Sequence, residues 1–343
     1  MGLHLFAIVL MMFFISPDSP NKVRYREPQF SVKTKYGIPF AEVNGYWTTL
    51  EENTYSAEKI FKMGQATTER TLDLRLDLYL PKNDTLTHRP LIMLMHGGSF
   101  YYGSRKDNAI IQWCRHFASL GYVTASIDYR IGFVPSMQNI ERAGYRALQD
   151  AHAALRFLVA NQEKYGIDTS LIFVGGTSSG AITALNLAYL TNETRPVSTY
   201  DLGNIETSGN NLTNEFSIKG IVDMWGAITD TCLMKGHQES ILAFHGDADN
   251  TVSYGYDYPL GIAGDIRKLL TNKMYGSYCI VNYAKKHGQK AKLYTLKGLG
   301  HAPHKDRMTL ELNKNFYFIQ DKMTEFLYQI IEQEKQKKNY NPN

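Results

Sequence analysis

The stretch from Leu171 to Leu190 limits the possible folds more than any other part of this sequence. Its apolar start, Leu171–Val174, predicts a buried strand, and a helix-period run begins just after Gly176–Gly180, which reads Gly-Thr-Ser-Ser-Gly. A strand, a sharp turn and a helix are therefore expected in succession, with Ser178 at the turn. The glycines suit a strained turn where the flanking backbones approach closely, and this G-x-S-x-G context is typical of a nucleophilic serine.

Short apolar runs alternate with helix-period stretches through much of the chain, which predicts an α/β fold. Such runs form strands buried on both faces, in a mostly parallel sheet that helices cover on both sides. Ligands of these sheets bind at the carboxyl ends of the strands. The predicted strands are Leu91–Met95, Tyr122–Ile127, Leu171–Val174, Ile218–Met224, Ile241–Phe244 and Lys292–Leu296, and the predicted long helices are Asn139–Glu163 and Phe316–Gln333.

The region before these units has a different pattern. Leucines alternate strictly with other, mostly polar residues over Glu69–Pro81, which predicts a half-buried antiparallel strand. Tyr55–Gly64 is expected to be its hairpin partner. Residues 20–50 show little periodicity and are expected to form an extended N-terminal arm.

The chain is interpreted as a signal peptide, residues 1–19, followed by one α/β domain over residues 20–343. Residues 3–15 form an apolar run too short to span a bilayer and of the right length for a signal-peptide core, although no Lys or Arg precedes it. An uncleaved anchor or a wrongly assigned start is the alternative. We expect a secreted or periplasmic protein, without a stable membrane span after signal removal. Two insertions, at about 191–215 and 253–277, are expected to be loops at the substrate entrance.

Charge and cysteine content exclude some classes of protein. The net charge of +4, from 37 basic and 33 acidic residues, is too small and too scattered to indicate a nucleic-acid partner. Three cysteines are too few for a disulfide framework. Cys232 and Cys279 either pair in an oxidising compartment or stay isolated as buried thiols.

A serine motif needs supporting residues, because a chance match in ~340 residues has odds of roughly one in ten. The first support is His96–Phe100, which follows the strand ending at Met95 and contains Gly97 and Gly98. Consecutive glycines leave backbone N–H groups free to point at a ligand. Together with the N–H of Ser179, those of Gly97 or Gly98 are expected to bind a developing oxyanion.

The second support is a carboxylate and an imidazole placed after later strands. Asp249 and Asp247 both follow Ile241–Phe244, and Asp249 is favoured because it lies further into the loop. Of ten histidines, only His287, His301 and His304 follow Asp249. His301 is favoured, since it comes just after a strand and glycines give its loop freedom to reach Ser178; His304 is the fallback, and His287 is expected to be solvated in a polar helix end.

Residues 70–330 resemble the α/β-hydrolase superfamily, and most of all its carboxylesterase branch with an HGG oxyanion loop, which includes bacterial feruloyl- and acetylxylan-esterase-like enzymes. The resemblance rests on five segments in order: His96–Phe100, Asp128–Arg130, Gly176–Gly180, His245–Asp249 and Gly300–His301. It implies an α/β-hydrolase fold with Ser178 as nucleophile, His301 as base, Asp249 as acid, and Gly97 or Gly98 plus Ser179 as oxyanion donors. Ser99 and Ser179 stand where many members carry Gly or Ala, which bears on substrate preference.

These residues predict a serine carboxylic-ester hydrolase that works by double displacement, with a small-molecule or polysaccharide ester as substrate. No cofactor or metal is expected, since His301 and His304 flank Pro303 and make a poor helical metal pair. A serine peptidase of the same fold and a non-catalytic binding protein on a hydrolase scaffold are the alternatives. A lipase is less expected, because neither insertion shows a long apolar lid.

Overall fold

The computed structural model describes residues 22–51, 56–306 and 308–340, so the predicted signal peptide lies outside the described residues. The strands are β1 (Val32–Gly45), β2 (Arg70–Pro81), β3 (Arg89–Met95), β4 (Val123–Ile127), β5 (Ile167–Thr177), β6 (Ile218–Met224), β7 (Ala227–Ile228), β8 (Ser240–Gly246), β9 (Tyr256–Asp257), β10 (Met274–Gly276) and β11 (Ala291–Leu296). The helices are α1 (Ser56–Gln65), α2 (Asn108–Leu120), α3 (Met137–Ala160), α4 (Gln162–Tyr165), α5 (Ser179–Tyr189), α6 (Arg267–Leu270), α7 (Ser277–Lys286) and α8 (Lys314–Tyr340).

An eight-stranded sheet organises the molecule, in the order β1-β2-β4-β3-β5-β6-β8-β11. The strands from β4 to β11 in this order are parallel, and β1 and β2 extend the sheet by antiparallel pairing. This confirms the predicted fold class. A second, three-stranded sheet, β7-β10-β9, is formed partly by residues of the second predicted insertion.

Helices cover both faces of the large sheet because the central strands are apolar on both sides. One core joins the sheet to α3, α5 and α7, through residues such as Leu155, Leu185 and Ile280. The other joins it to α2 and α8, through residues such as Trp113 and Phe316. Successive residues of β6 show the alternation directly, since Ile221 belongs to the first core and Val222 to the second.

Two predictions for the N-terminal region are wrong. The predicted strand Tyr55–Gly64 is helical in its described part: α1 starts at Ser56, with Glu58 in its first turn and Lys62 in its last, both favourable for the helix dipole. Tyr55 lies outside the described residues. Residues 20–50 are not simply an arm, because they contain β1, the antiparallel neighbour of β2. The pairing of β1 with β2 is interrupted by two register shifts, and such irregularities remove the two-residue periodicity that reveals a strand in a sequence.

The other boundaries differ by up to seven residues, most of all at the C-terminal helix, which is predicted as Phe316–Gln333 and observed as α8. The predicted helix Asn139–Glu163 is α3, which ends at Ala160, followed by the short α4. The predicted insertion 191–215 carries a 3₁₀ turn, Val197–Leu202, and the insertion 253–277 carries β9, α6 and β10. All three cysteines are free thiols, Cys114 buried and Cys232 exposed. Within the described residues, no helix combines the length and apolarity needed to cross a membrane.

Candidate active site

Ser178 lies in a strained turn between β5 and α5. Its φ of 53° and ψ of −118° are unusual for a residue with a side chain, and its N–H donates to the carbonyl of Met224 on β6. Glycine is required on both sides: a Cβ at Gly176 would lie 2.5 Å from the Met95 carbonyl oxygen, and one at Gly180 would lie 2.3 Å from the same atom. The turn therefore presses α5 against the end of β3 and lifts the Ser178 hydroxyl above the sheet.

The structure brings Ser178, His301 and Asp249 together. The Ser178 Oγ lies 2.9 Å from Nε2 of His301, and Nδ1 of His301 lies 2.7 Å from Oδ2 of Asp249. The other carboxylate oxygen of Asp249 accepts from the N–H groups of Thr251 and Val252, at 2.8 and 3.0 Å. A hydroxyl, an imidazole and a carboxylate are thus hydrogen-bonded in series.

Asp249 is held ionised by its neighbours. Burial alone would raise the pKa of this carboxyl, but hydrogen bonds from His245 and His301 outweigh the effect and hold the pKa well below its usual range. His245 was not among the sequence candidates. It stands four residues before Asp249 in the same segment, and its Nε2 lies 3.2 Å from Oδ2 of Asp249.

The rejected or secondary candidates have other contacts. Asp247 accepts from the N–H of Gly298 at 2.6 Å and so braces the loop that carries His301. His304 is buried between the rings of Trp113 and Trp225, and burial lowers its pKa to about 3. His287 is exposed and stacks on Tyr283, with ring centroids 4.0 Å apart.

The loop after β3 lies beside Ser178. A Cβ at Gly97 would lie 3.0 Å from the Thr177 carbonyl oxygen and 3.3 Å from Cβ of Ser178, so this glycine allows the close approach. Gly98 has a φ of 120°, and Ser99 a φ of 54°. Within the described part of the chain, the N–H groups of Gly98 and Ser99 donate no hydrogen bond. Ser179 begins α5, where the helix itself offers its N–H no acceptor.

Tyr129 connects the His96–Phe100 loop to the start of α5. Its hydroxyl donates to the His96 carbonyl at 2.7 Å and lies 3.3 Å from Oγ of Ser179, while its ring stacks on His96 at 4.3 Å. The neighbouring residues fix Tyr129: Asp128 pairs with Arg105, and Arg130 pairs with Asp150. The segment Asp128–Arg130 thus positions the His96–Phe100 loop.

A cavity of about 490 Å³ opens beside Ser178 and Ser179. Its lining is mostly apolar, and it receives residues from α1, α3, α5 and both predicted insertions. Such a lining suits the apolar part of a small ligand. The lining includes Met63, Ser99, Phe133, Met137, Ile140, Ile182, Pro196, Pro259, Leu260, Leu270 and Met274. Among the described residues, no group of three His, Cys, Asp or Glu side chains lies close enough to hold a metal ion.

One family model, BD-FAE, matches residues 76–243, nearly half of the chain. The match contains the His96–Phe100 loop and Ser178, and it ends before Asp249 and His301. The hydrogen bonds of those two residues are therefore observations of this structure alone.

Curated relatives match a shorter part of the chain. Gut esterase 1 of Caenorhabditis elegans is 31% identical over 116 residues, which is 33% of this chain and 20% of the relative. Arylacetamide deacetylase-like 2 of Homo sapiens is 32% identical over 114 residues, 32% of this chain and 26% of the relative. The chain thus spans about a fifth to a quarter of the length of these two relatives.

A solved structure is similar over most of the chain. Thermogutta terrifontis esterase 2 phosphorylated by paraoxon is 19% identical, with a TM-score of 0.56, covering 76% of this chain and 90% of that chain. At this identity the likeness concerns the fold.

Proposed function

We propose that this chain is a carboxylesterase of the α/β-hydrolase superfamily, and that it hydrolyses carboxylic esters with Ser178 as nucleophile, His301 as base and Asp249 as acid. One observation carries the proposal: the continuous hydrogen bonds from Ser178 Oγ through His301 to Asp249, at the mouth of an apolar cavity. The names of the relatives point to the same reaction class.

The reaction begins with proton transfer from Ser178 Oγ to Nε2 of His301 as the oxygen attacks the ester carbonyl. Asp249 stabilises the imidazolium through the hydrogen bond to Nδ1. The developing oxyanion is bound by backbone N–H groups of Ser179 and of the Gly97–Ser99 loop. His301 then protonates the leaving alcohol, and water, activated by the same imidazole, releases the acid from Ser178.

The cavity favours esters with an apolar acyl or alcohol group. Each methylene buried in such a cavity contributes about 0.8 kcal/mol, or roughly fourfold in kcat/KM. We therefore expect kcat/KM to rise along acetyl, butyryl and hexanoyl esters until the cavity is filled. Equal kcat/KM for all three would show that the cavity does not receive the acyl chain.

An acylated polysaccharide is a second candidate substrate. Tyr256 is 50% exposed in the insertion that also lines the cavity, and exposed tyrosine rings suit contact with sugar faces. In this case the acyl group would enter the cavity and the sugar would stay outside. Release of acetate from acetylated xylan, compared with that from p-nitrophenyl acetate, separates the two candidates.

Substitution of Ser178 tests the function itself. Ser178→Ala is expected to abolish hydrolysis of the best ester, whereas Ser170→Ala, in the first half of the preceding strand β5, keeps the wild-type rate. Peptide p-nitroanilides in the same panel test the peptidase alternative, which preferential peptide turnover would support. If the wild type hydrolyses no member of the panel, a non-catalytic binding role replaces the proposal.

A further inference from the structure

A chain of buried polar side chains continues beyond Asp249, on the side away from Ser178. His245, at the end of β8, is fully buried, and its Nε2 lies 3.2 Å from Oδ2 of Asp249 and 3.0 Å from the Val252 carbonyl oxygen. The same Oδ2 accepts from Nδ1 of His301. The imidazoles of His245 and His301 therefore both contact the same oxygen, Oδ2 of Asp249. Only His301 has a role in the proposed reaction.

His245 is itself fixed by a second carboxylate. Its Nδ1 lies 2.7 Å from Oγ of Ser277, the first residue of α7, and that Oγ lies 2.7 Å from Oδ2 of Asp223 at the end of β6. Oδ1 of Asp223 accepts from the N–H of Gly226 at 2.8 Å. Ser277 and Asp223 are both fully buried. Such a network is stable only if every member has a partner, and here each does.

The donor and acceptor inventory restricts where the protons lie. The Val252 carbonyl only accepts, so Nε2 of His245 carries a proton. Ser277 has one hydroxyl proton and two partners, which leaves two arrangements. In the first, an imidazolium at His245 donates to Ser277, and Ser277 donates to an ionised Asp223.

In the second arrangement, a protonated Asp223 donates to Ser277, and Ser277 donates to a neutral His245. Burial raises the pKa of Asp223, which favours this arrangement. The two arrangements have the same net charge. In both, the Nε2–H of His245 donates to the Val252 carbonyl and lies beside Oδ2 of Asp249, 3.2 Å from Nε2.

We propose that Asp223, Ser277 and His245 form a hydrogen-bonded positioning chain that fixes the Asp249 carboxylate and sets the pH at which His301 becomes an active base. The proposal rests on the function proposed above. A hydrogen bond donated to a carboxylate spreads its negative charge. If His245 no longer donates, Asp249 attracts the protonated His301 more strongly, so His301 retains its proton to higher pH.

Few other ionisable groups face this network. Tyr254 packs edge-on against His245, with ring centroids 5.7 Å apart, and its hydroxyl is bonded to Thr295. On the far side of His301 lie His304, buried among tryptophans, and Lys305, which pairs with Asp107. None of the substitutions below replaces these groups. A change in the pH dependence of kcat/KM is therefore attributed to the positioning chain of Asp223, Ser277 and His245.

Ser277→Ala removes the link between Asp223 and His245. We expect kcat on the best ester to fall about tenfold with KM nearly unchanged, and the acid limb of the kcat/KM profile to move upward by roughly 0.5–1 pH unit. The control is Ser126→Ala, which removes a different buried hydroxyl hydrogen bond, to the Arg105 carbonyl. It should destabilise the protein similarly and leave the acid limb in place. A Ser277→Ala profile with an unmoved acid limb would overturn the proposal.

Two further variants guard against misfolding of Ser277→Ala. His245→Leu removes the donor itself and should move the acid limb in the same direction. Asp223→Asn keeps the acceptor for Gly226 and lets its amide donate to Ser277, as in the second arrangement, so its profile should match the wild type. A shifted acid limb in Ser277→Ala together with an unmoved one in His245→Leu would exclude a chain that acts through His245.

Histidine ¹⁵N NMR of the full chain gives a readout that does not need turnover. The titration of His301 should move upward in Ser277→Ala and stay in place in Ser126→Ala. A protein without esterase activity but with this shift would refute the proposed function and keep the positioning chain. An active esterase in which Ser277→Ala does not shift the titration of His301 would refute the positioning chain and keep the proposed function.

Discussion

Acid should destabilise this protein through His304, and Phe at this position should remove part of that effect. His304 is 3% exposed, and its ring lies 4.8 Å from Trp225 and 5.7 Å from Trp113. Burial lowers the pKa of this imidazole from 6.5 to about 3. A phenyl ring keeps the stacking and has no proton to bind, so His304→Phe isolates the titration.

The magnitude follows from the two pKa values. Because the pKa of His304 is lower in the folded state, below pH 6.5 the unfolded chain binds a proton that the folded chain does not bind. The free energy of unfolding therefore falls as the pH drops below 6.5, and above that pH His304 causes no such loss. One pKa unit corresponds to 1.36 kcal/mol. Between pH 7 and pH 5, His304 therefore lowers the free energy of unfolding by about 2 kcal/mol. His116 and His152, whose pKa values burial lowers to about 4, add to the wild-type loss.

Urea unfolding at pH 7 and pH 5 measures the effect. The loss of unfolding free energy between these pH values should be about 2 kcal/mol smaller in His304→Phe than in the wild type. Phe316→Leu is the control, since Phe316 stacks on Trp113 in the same cluster and does not titrate. It should lower the free energy of unfolding equally at both pH values. Identical pH dependence in His304→Phe and the wild type would refute the reasoning.

Three further substitutions test the site and its supports. Gly97→Ala should lower kcat about 10²-fold with little change in urea midpoint, because the new Cβ would push the oxyanion loop away from Ser178; unchanged kcat would contradict the loop's role. Asp150→Ala leaves Arg130 buried without its carboxylate and should lower the free energy of unfolding in urea by about 3–5 kcal/mol. A decrease below about 1 kcal/mol would contradict the burial of this ion pair. Ile182→Phe should fill part of the cavity and lower kcat/KM for hexanoyl more than for acetyl esters; equal losses would argue against acyl binding there.

The central sheet could be predicted because its strands are short apolar runs with clear ends. The predicted bounds of Ile218–Met224 coincide with those of β6, and those of the other central strands differ from the observed ones by at most four residues at either end. Chain order also restricted the site, since few polar residues follow the ends of parallel strands. This criterion favours Asp249 and His301, which lie within hydrogen-bonding distance of each other in the structure.

Features that depend on contacts between distant segments could not be predicted. The two irregularities in β1 hide its alternation, and the short α1 has no signal stronger than its charges. The sequence marks Ser99 as unusual for its loop, but its positive φ and its place at the cavity depend on the folded structure. The link from His245 through Ser277 to Asp223 joins three elements whose proximity depends on the sheet order.

Covalent trapping of Ser178 tests the central claim most directly. A p-nitrophenyl alkylphosphonate should release one equivalent of p-nitrophenol per active chain, and mass spectrometry should place the single adduct on the peptide that contains Ser178. Hydrolysis of the best ester should stop as the adduct forms, and Ser178→Ala should not be labelled. Full ester hydrolysis after complete labelling of Ser178, or labelling of a different residue in parallel with loss of activity, would contradict the account.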